Sequence, residues 1–128
     1  MAYKVIEGLY YTKSDEWVKV EDDIATVGIT DYAQDKLGDI VYLEQAKPGT
    51  KVKVDERVIT IESVKAASDI NAPVSGAIIE VNDKVVSDPS IINKDPYGAG
   101  WLFKIKMENM EEMKDLIDAN SYQDYRKE

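Results

Sequence analysis

The 128-residue chain contains no cysteine and no histidine. Without cysteine it can form no disulfide, no thiolate nucleophile and no Cys-based zinc site. Without histidine the usual near-neutral proton shuttle is missing, so a Ser-His-Asp triad is excluded and acid-base chemistry would fall to perturbed carboxylates or lysines. Any thiol or electrophile chemistry must then come from an attached group. Long apolar runs are also lacking. Val85-Val86 and Ile91-Ile92 are each soon interrupted by polar or charged residues, which leaves no segment for a membrane-spanning helix. Residues Met1 to Glu7 offer neither an apolar signal core nor an Arg/Ser-rich, acid-poor presequence, so the expected location is cytoplasmic. Positive charge is in short supply: 16 basic against 25 acidic residues leave a formal charge of −9. Such a surface repels phosphate backbones and anionic membranes, so neither nucleic acid nor a membrane is an expected partner, and its plain consequence is solubility. With 7 Gly, 4 Pro and no low-complexity stretch, the chain shows no linker, and a single domain over residues 1–128 is expected.

What is present reads as short strands broken by turns. Trp17–Val20 and Ile24–Ile29 are strand-like, with Glu21-Asp22-Asp23 as the hairpin loop between them. Thr30-Asp31 offers helix caps, Gln34 a capping-box partner for Asp31, and Gly38 a stop after Leu37, which predicts a two-turn helix. Ile40–Leu43 resumes strand character before the turn Lys47-Pro48-Gly49-Thr50. Val58–Glu62 and Ala67–Ala72 form two arms around Ser63-Val64-Lys65-Ala66. Ala77–Val81 follows the break at Pro73 to Gly76 and is closed by Asn82-Asp83. Asp88-Pro89 predicts a short helix through Ile91 and Ile92 that ends near Asp95-Pro96. Trp101–Lys106 reads as the last strand. From Asn109, with Glu112 as capping partner, the spacing of Met110, Met113, Leu116 and Ile117 predicts a C-terminal helix lying across the sheets, and polar residues Tyr122 to Glu128 are expected to fray. The expected fold is mainly β: a small sandwich or flattened barrel with short peripheral helices and a C-terminal helix.

Lys65 stands near the midpoint of two strand-forming arms, which puts it at a hairpin tip. A lysine in a turn is ordinarily a solvated charge. Here its neighbours Ser63, Ala66 and Ala67 are small enough to leave the ε-amine open to a modifying enzyme, and two strands would fix the base of any arm built on it. A mobile group on a rigid base can visit several sites at high effective concentration.

The stretch from Glu62 to Gly76 (E-S-V-K-A-A-S-D-I-N-A-P-V-S-G) resembles the biotinyl/lipoyl carrier family, in which Glu-x-x-Lys-Ala precedes Ala-Pro-x-x-Gly. Biotin carriers typically flank the lysine with methionines; Val64 and Ala66 stand there in this chain, which favours lipoate. Four blocks in order widen the resemblance to the glycine cleavage H proteins over about residues 9–125: Tyr11 to Trp17 (Y-T-K-S-D-E-W), Gly28 to Asp39 (G-I-T-D-Y-A-Q-D-K-L-G-D), Ile61 to Gly76, and Asn93 to Lys106 (N-K-D-P-Y-G-A-G-W-L-F-K-I-K).

This resemblance implies a non-enzymatic carrier, with lipoate joined covalently to Lys65. It implies as partners a pyridoxal-phosphate-dependent glycine decarboxylase (P protein), a tetrahydrofolate-dependent aminomethyltransferase (T protein), a dihydrolipoamide dehydrogenase (L protein), and a lipoate ligase or lipoyl transferase. In the family the oxidised arm takes an aminomethyl group from glycine, passes on the one-carbon unit and is reoxidised. The resemblance further implies an arm-docking cleft with Ser14, Glu16 and Asp69, and a ligase-recognition or turn role for Glu62. There are two departures. Asp15 stands where the family usually has His, which makes the proposed cleft more negative, and Asp55-Glu56 replaces a usual Gly in the turn before Val58, where Asp can still adopt a left-handed conformation. Two other readings stay open on sequence: an H-like protein that relays lipoyl groups to other enzymes, and a small carboxylate-based enzyme or metal-binding protein. No acid pair has a recognised ligand or acid-base spacing for the latter.

Overall fold

The computed structural model describes residues 3–126. Met1, Ala2, Lys127 and Glu128, on which the reading of the N-terminus and of the tail partly rests, lie outside the described residues. Among the described residues, nine strands form two sheets. β1 (Tyr10–Tyr11), β2 (Glu16–Glu21), β3 (Ile24–Ile29), β9 (Phe103–Met107), β8 (Gly76–Val81) and β5 (Lys51–Val52) lie side by side in that order in the larger sheet. The smaller sheet is β4 (Ile40–Leu43), β6 (Arg57–Ser63) and β7 (Ala67–Asn71). Neither sheet closes on itself, so the architecture is an open two-sheet sandwich rather than a barrel. All strand pairings are antiparallel.

β6 and β9 alternate between core and surface, whereas β3 is buried over Ala25 to Ile29. Val18, Val27, Ile29, Phe103, Ile105 and Ile78 from the large sheet meet Ile59, Ile61 and Ile70 from the small one in a shared core. Gly76, the last residue of the Ala-Pro-x-x-Gly run, is required by close approach: a Cβ there would stand 2.0 Å from the Lys106 carbonyl oxygen. A second apolar cluster holds Tyr11, Trp17, Ala119 and Tyr122, with Tyr11 and Tyr122 stacked at 4.6 Å between ring centroids.

Helix α1 (Asp31–Leu37) falls where its caps predict. The cap itself is Thr30, whose hydroxyl accepts from the Ala33 N–H at 3.2 Å; Gln34 instead donates to Asp31 Oδ1 and accepts from Asn93. The Asp22 and Asp55 turns take φ of 56° and 70°, the left-handed backbone that aspartate tolerates, so the turn before Val58 forms without its glycine.

Three expectations need correction. Asn82-Asp83 does more than close β8: Asn82 caps helix α2 (Asp83–Ser87), accepting from the Lys84 N–H while its amide donates to the Ala99 and Trp101 carbonyls. Helix α3 (Ser90–Lys94) then follows with Asp88 bonded to Ser90. The C-terminal segment is not one helix. Met110–Asp115 is a 3-10 turn, Leu116 is extended, and Ile117 bonds in both directions to Tyr11 before α4 (Ala119–Tyr125) begins at its cap Asp118. Glu112 breaks the expected capping box because its carboxylate accepts from the Ser75 N–H and hydroxyl, 37 residues away. Finally, Tyr122 does not fray: it is 1% exposed, and its hydroxyl pairs with Thr30 at 2.7 Å and donates to Asp15 at 2.8 Å.

Candidate functional site

The β6–β7 hairpin places Lys65 at its tip. Glu62 opposes Ala67 as the last pair of the ladder, and the turn is closed by the Ser63 N–H donating to the Ala66 carbonyl at 2.8 Å. The Ser63 hydroxyl stiffens it from within, accepting from the Ala66 N–H at 3.1 Å and the Lys65 N–H at 3.3 Å. The backbone of the tip is therefore fixed, while the side chains of Val64, Lys65, Ala66 and Ala67 are exposed. The lysine stem lies along Gly38 at the end of α1, where a Cβ would meet Lys65 Cε at 3.3 Å. Gly38 has φ 77° and is held from the other side by Asn93, which donates to the Gly38 carbonyl and accepts from the Ile40 N–H. Asn93 opens the fourth sequence block, so that block supports the platform beneath the lysine.

Beside this platform lies a cleft of about 160 Å³ between α1 and β7. Tyr32, Ala33, Lys36 and Leu37 form its α1 side, Ser68 and Ile70 its β7 side, and Ser14 and Asp15 one end. Leu37 directly precedes Gly38, so the cleft begins where the lysine stem rests. Of the three cleft residues expected from sequence, Ser14 lines it. Glu16 lies behind Ser14, 1% exposed, with one carboxylate oxygen accepting from the Thr12 and Ser14 hydroxyls at 2.5 and 2.6 Å and the other from the Asn71 N–H at 3.2 Å. Burial pushes its carboxyl above the usual range, and the Ser14, Thr12 and Asn71 donors oppose that rise. Glu16 thus ties the start of β2 to the end of β7, joining the two sheets. Asp69 is not brought together with them: it points away from Ser68 and Ile70, onto the outer face, where it opposes Thr60 and accepts from its hydroxyl at 3.0 Å. Glu62 is exposed on that same outer face.

Asp15 is also not the loose negative charge that its position suggests. It has φ 73°, and Arg126 grips it in a bidentate pair with both N···O distances 2.8 Å. The guanidinium also lies 4.3 Å from the Tyr32 ring centroid, so the C-terminal helix braces the cleft wall at two points. Sequence reasoning missed Tyr32, Lys36, Ser68 and Arg126. The first two share one face of a predicted helix with Ala33 and Leu37, a signal that was available; Arg126 is 111 residues from Asp15 and gave none.

A stiff β scaffold that presents an exposed lysine at a hairpin tip beside a shallow cleft has the form of a lipoyl/biotinyl-type carrier. Comparison with known proteins makes this specific. The family model described as glycine cleavage H-protein matches residues 9–128. A glycine cleavage system H protein from Thermotoga maritima is 53% identical over 115 residues, covering 90% of this chain and 93% of that protein. A probable glycine cleavage system H protein from Pyrococcus abyssi is 54% identical over 127 residues, covering 98% and 94%. The crystal structure of a glycine cleavage system H protein from Mycobacterium marinum superimposes with a TM-score of 0.86 at 36% identity, covering 92% of this chain and 95% of that one. The chain belongs to the glycine cleavage H-protein family.

Proposed function

We propose that this protein is the lipoyl-bearing carrier of the glycine cleavage system and that Lys65 is the attachment residue. The observation that carries the assignment is the hairpin tip: a backbone locked by Ser63 and an exposed lysine with the small residues Ser63, Ala66 and Ala67 around it. When bound, the lipoyl group supplies the disulfide and dithiol chemistry that this chain, with no cysteine, cannot supply itself.

The residues fit such an arm. Gly38 leaves room for the stem, and the α1–β7 cleft offers apolar contact from Ile29, Leu37 and Ile70 with polar contact from Ser14 and Ser68. Ser14 lines the cleft, and its hydroxyl is held by donation to Glu16. Glu16 acts through Ser14, as a buried anchor. Asp69 and Glu62 act from the outer face, as an acidic flank to the hairpin. The chain serves three enzymes in turn, a glycine decarboxylase, an aminomethyltransferase and a dihydrolipoamide dehydrogenase, and it is loaded by a lipoate ligase or lipoyl transferase. It works as one domain that carries and does not itself catalyse. Among the described residues no helix is long and apolar enough to cross a membrane.

Intact mass and peptide mapping after incubation with lipoic acid, ATP and a lipoate–protein ligase test the assignment. One lipoyl amide on the Lys65 peptide is expected, with none on Lys65→Arg, because a guanidinium keeps the charge but is not acylated as an amine. A lipoyl mass on the arginine variant, or at another lysine, would overturn it.

A further inference from the structure

The rim of the Lys65 hairpin carries apolar side chains that contribute nothing to the core. Val64, next to the lysine, is 68% exposed, and Val41 and Tyr42 on the neighbouring strand are 55% and 54% exposed. The register brings them together. Ile40 opposes Ser63 and Tyr42 opposes Glu62, with an irregularity between these pairs that leaves both Val41 and Tyr42 facing outward. The Val64 N–H donates to the Asp39 carbonyl at 3.0 Å, which ties the turn to the lead-in of that strand. The turn itself needs no valine, since its closure uses the Ser63 hydroxyl and backbone groups. Single exposed apolar residues are ordinary; three clustered around one lysine mark a contact surface.

We propose that Val41, Tyr42 and Val64, flanked by the exposed acids Asp39 and Glu62, form the docking surface for the enzyme that acylates Lys65. The proposal rests on Lys65 being the attachment residue. The occupant follows from reach. A lysine amine stands at the end of a four-carbon stem, so an enzyme that joins an acyl group to it must press its active-site mouth against the turn. An enzyme acting on the far end of a finished arm has no such constraint. The step is an acyl transfer from an acyl adenylate. The neutral Lys65 amine attacks the acyl carbon, the amide bond forms, the acyl–phosphate bond breaks, AMP leaves and the amine proton passes to solvent. The complementary partner surface is an apolar rim flanked by basic side chains, and the surplus of acid on this chain would steer the encounter.

The experiment measures initial lipoylation rates of the full-length apoprotein by intact mass, using a purified lipoate–protein ligase with lipoic acid and ATP. The triple variant Val41→Ser, Tyr42→Ser, Val64→Ser should lose about tenfold or more in kcat/KM, mostly through KM, with an unchanged melting temperature. Val64→Ser alone, where no packing is at stake, should lose a smaller part of it. Ile79→Ser, also exposed but on the large sheet, should match wild type. Asp39→Asn with Glu62→Gln should flatten the salt dependence of the rate. If the triple variant and Val64→Ser both stay within about twofold of wild type, the docking surface is overturned while the attachment residue stands. If wild type itself gains no lipoyl mass, the attachment residue is overturned and the docking surface with it.

Discussion

The surroundings of Glu16 and those of Lys65 stand at opposite extremes. Glu16 is sealed from solvent, and both its oxygens are engaged by donors from two segments. Lys65 is exposed, with its stem lying along Gly38. The difference is in the side chains and not in the backbone, for the turn that carries Lys65 is as fully bonded as the start of β2 that carries Glu16. A carrier needs both properties at once. Fixed polar groups at the base set where the arm begins, and freedom at the tip lets the arm leave the scaffold.

The contrast can be broken most severely at its foundation. Gly76→Ala would drive a Cβ into the Lys106 carbonyl across the β8–β9 ladder, and a loss of about 3 kcal/mol or more is expected in denaturant unfolding. Next comes Glu16→Gln. One amide face must then meet either the Asn71 N–H or the two hydroxyls with a donor, which should cost about 1–3 kcal/mol. Its pH dependence has a defined sign. The native carboxyl of Glu16 lies above its unfolded value, so in the window between them the folded protein binds more protons. The Glu16 contribution is full below the unfolded value of about 4.3 and declines as pH rises through the native one. The stability difference between wild type and Glu16→Gln should therefore shrink from acid toward neutral pH, as followed by thermal melting.

Arg126→Gln is expected to cost less, about 1–2 kcal/mol, because Asp15 keeps the Tyr122 hydroxyl as a donor. Hydrogen exchange should quicken at the Tyr122 and Arg126 amides, which close α4, while the Lys65 turn is unaffected. The smallest effect is expected at the tip. Val64→Ser and Lys65→Arg should each move stability by no more than about 0.5 kcal/mol, since neither side chain is buried. A larger change in either would mean that the tip is part of the scaffold.

The elements legible in the sequence were those specified by neighbours in the chain. The β2–β3 hairpin, α1 with Thr30 and Gly38 at its ends, α3 after Asp88-Pro89, and the β6–β7 hairpin all follow from alternation, caps and turn residues within a few positions. Lys65 at the tip belongs to this group. α2 was hidden because Asn82 reads equally as a turn and as a cap, and only the distant Ala99 and Trp101 carbonyls engage its amide. The break in the C-terminal segment was hidden because the stripe of Met110, Met113, Leu116 and Ile117 is truly helical in period. Glu112 and Ile117 find better partners in Ser75 and Tyr11 than a continued helix could give them.

By itself the sequence determined the β-rich class, the family resemblance, the chemistry denied by the missing cysteine and histidine, and the lysine at a turn. These depend on composition and on order along the chain. The tertiary structure alone decided that Glu16 is an internal tie, that Asp69 faces away from the cleft, and that Asp15 is held by Arg126. Each of these depends on which segments pack together, and on which face of a strand a side chain leaves. A pairing across 55 or 111 residues is set by the packing of whole sheets and helices, for which no local pattern in the chain is a proxy.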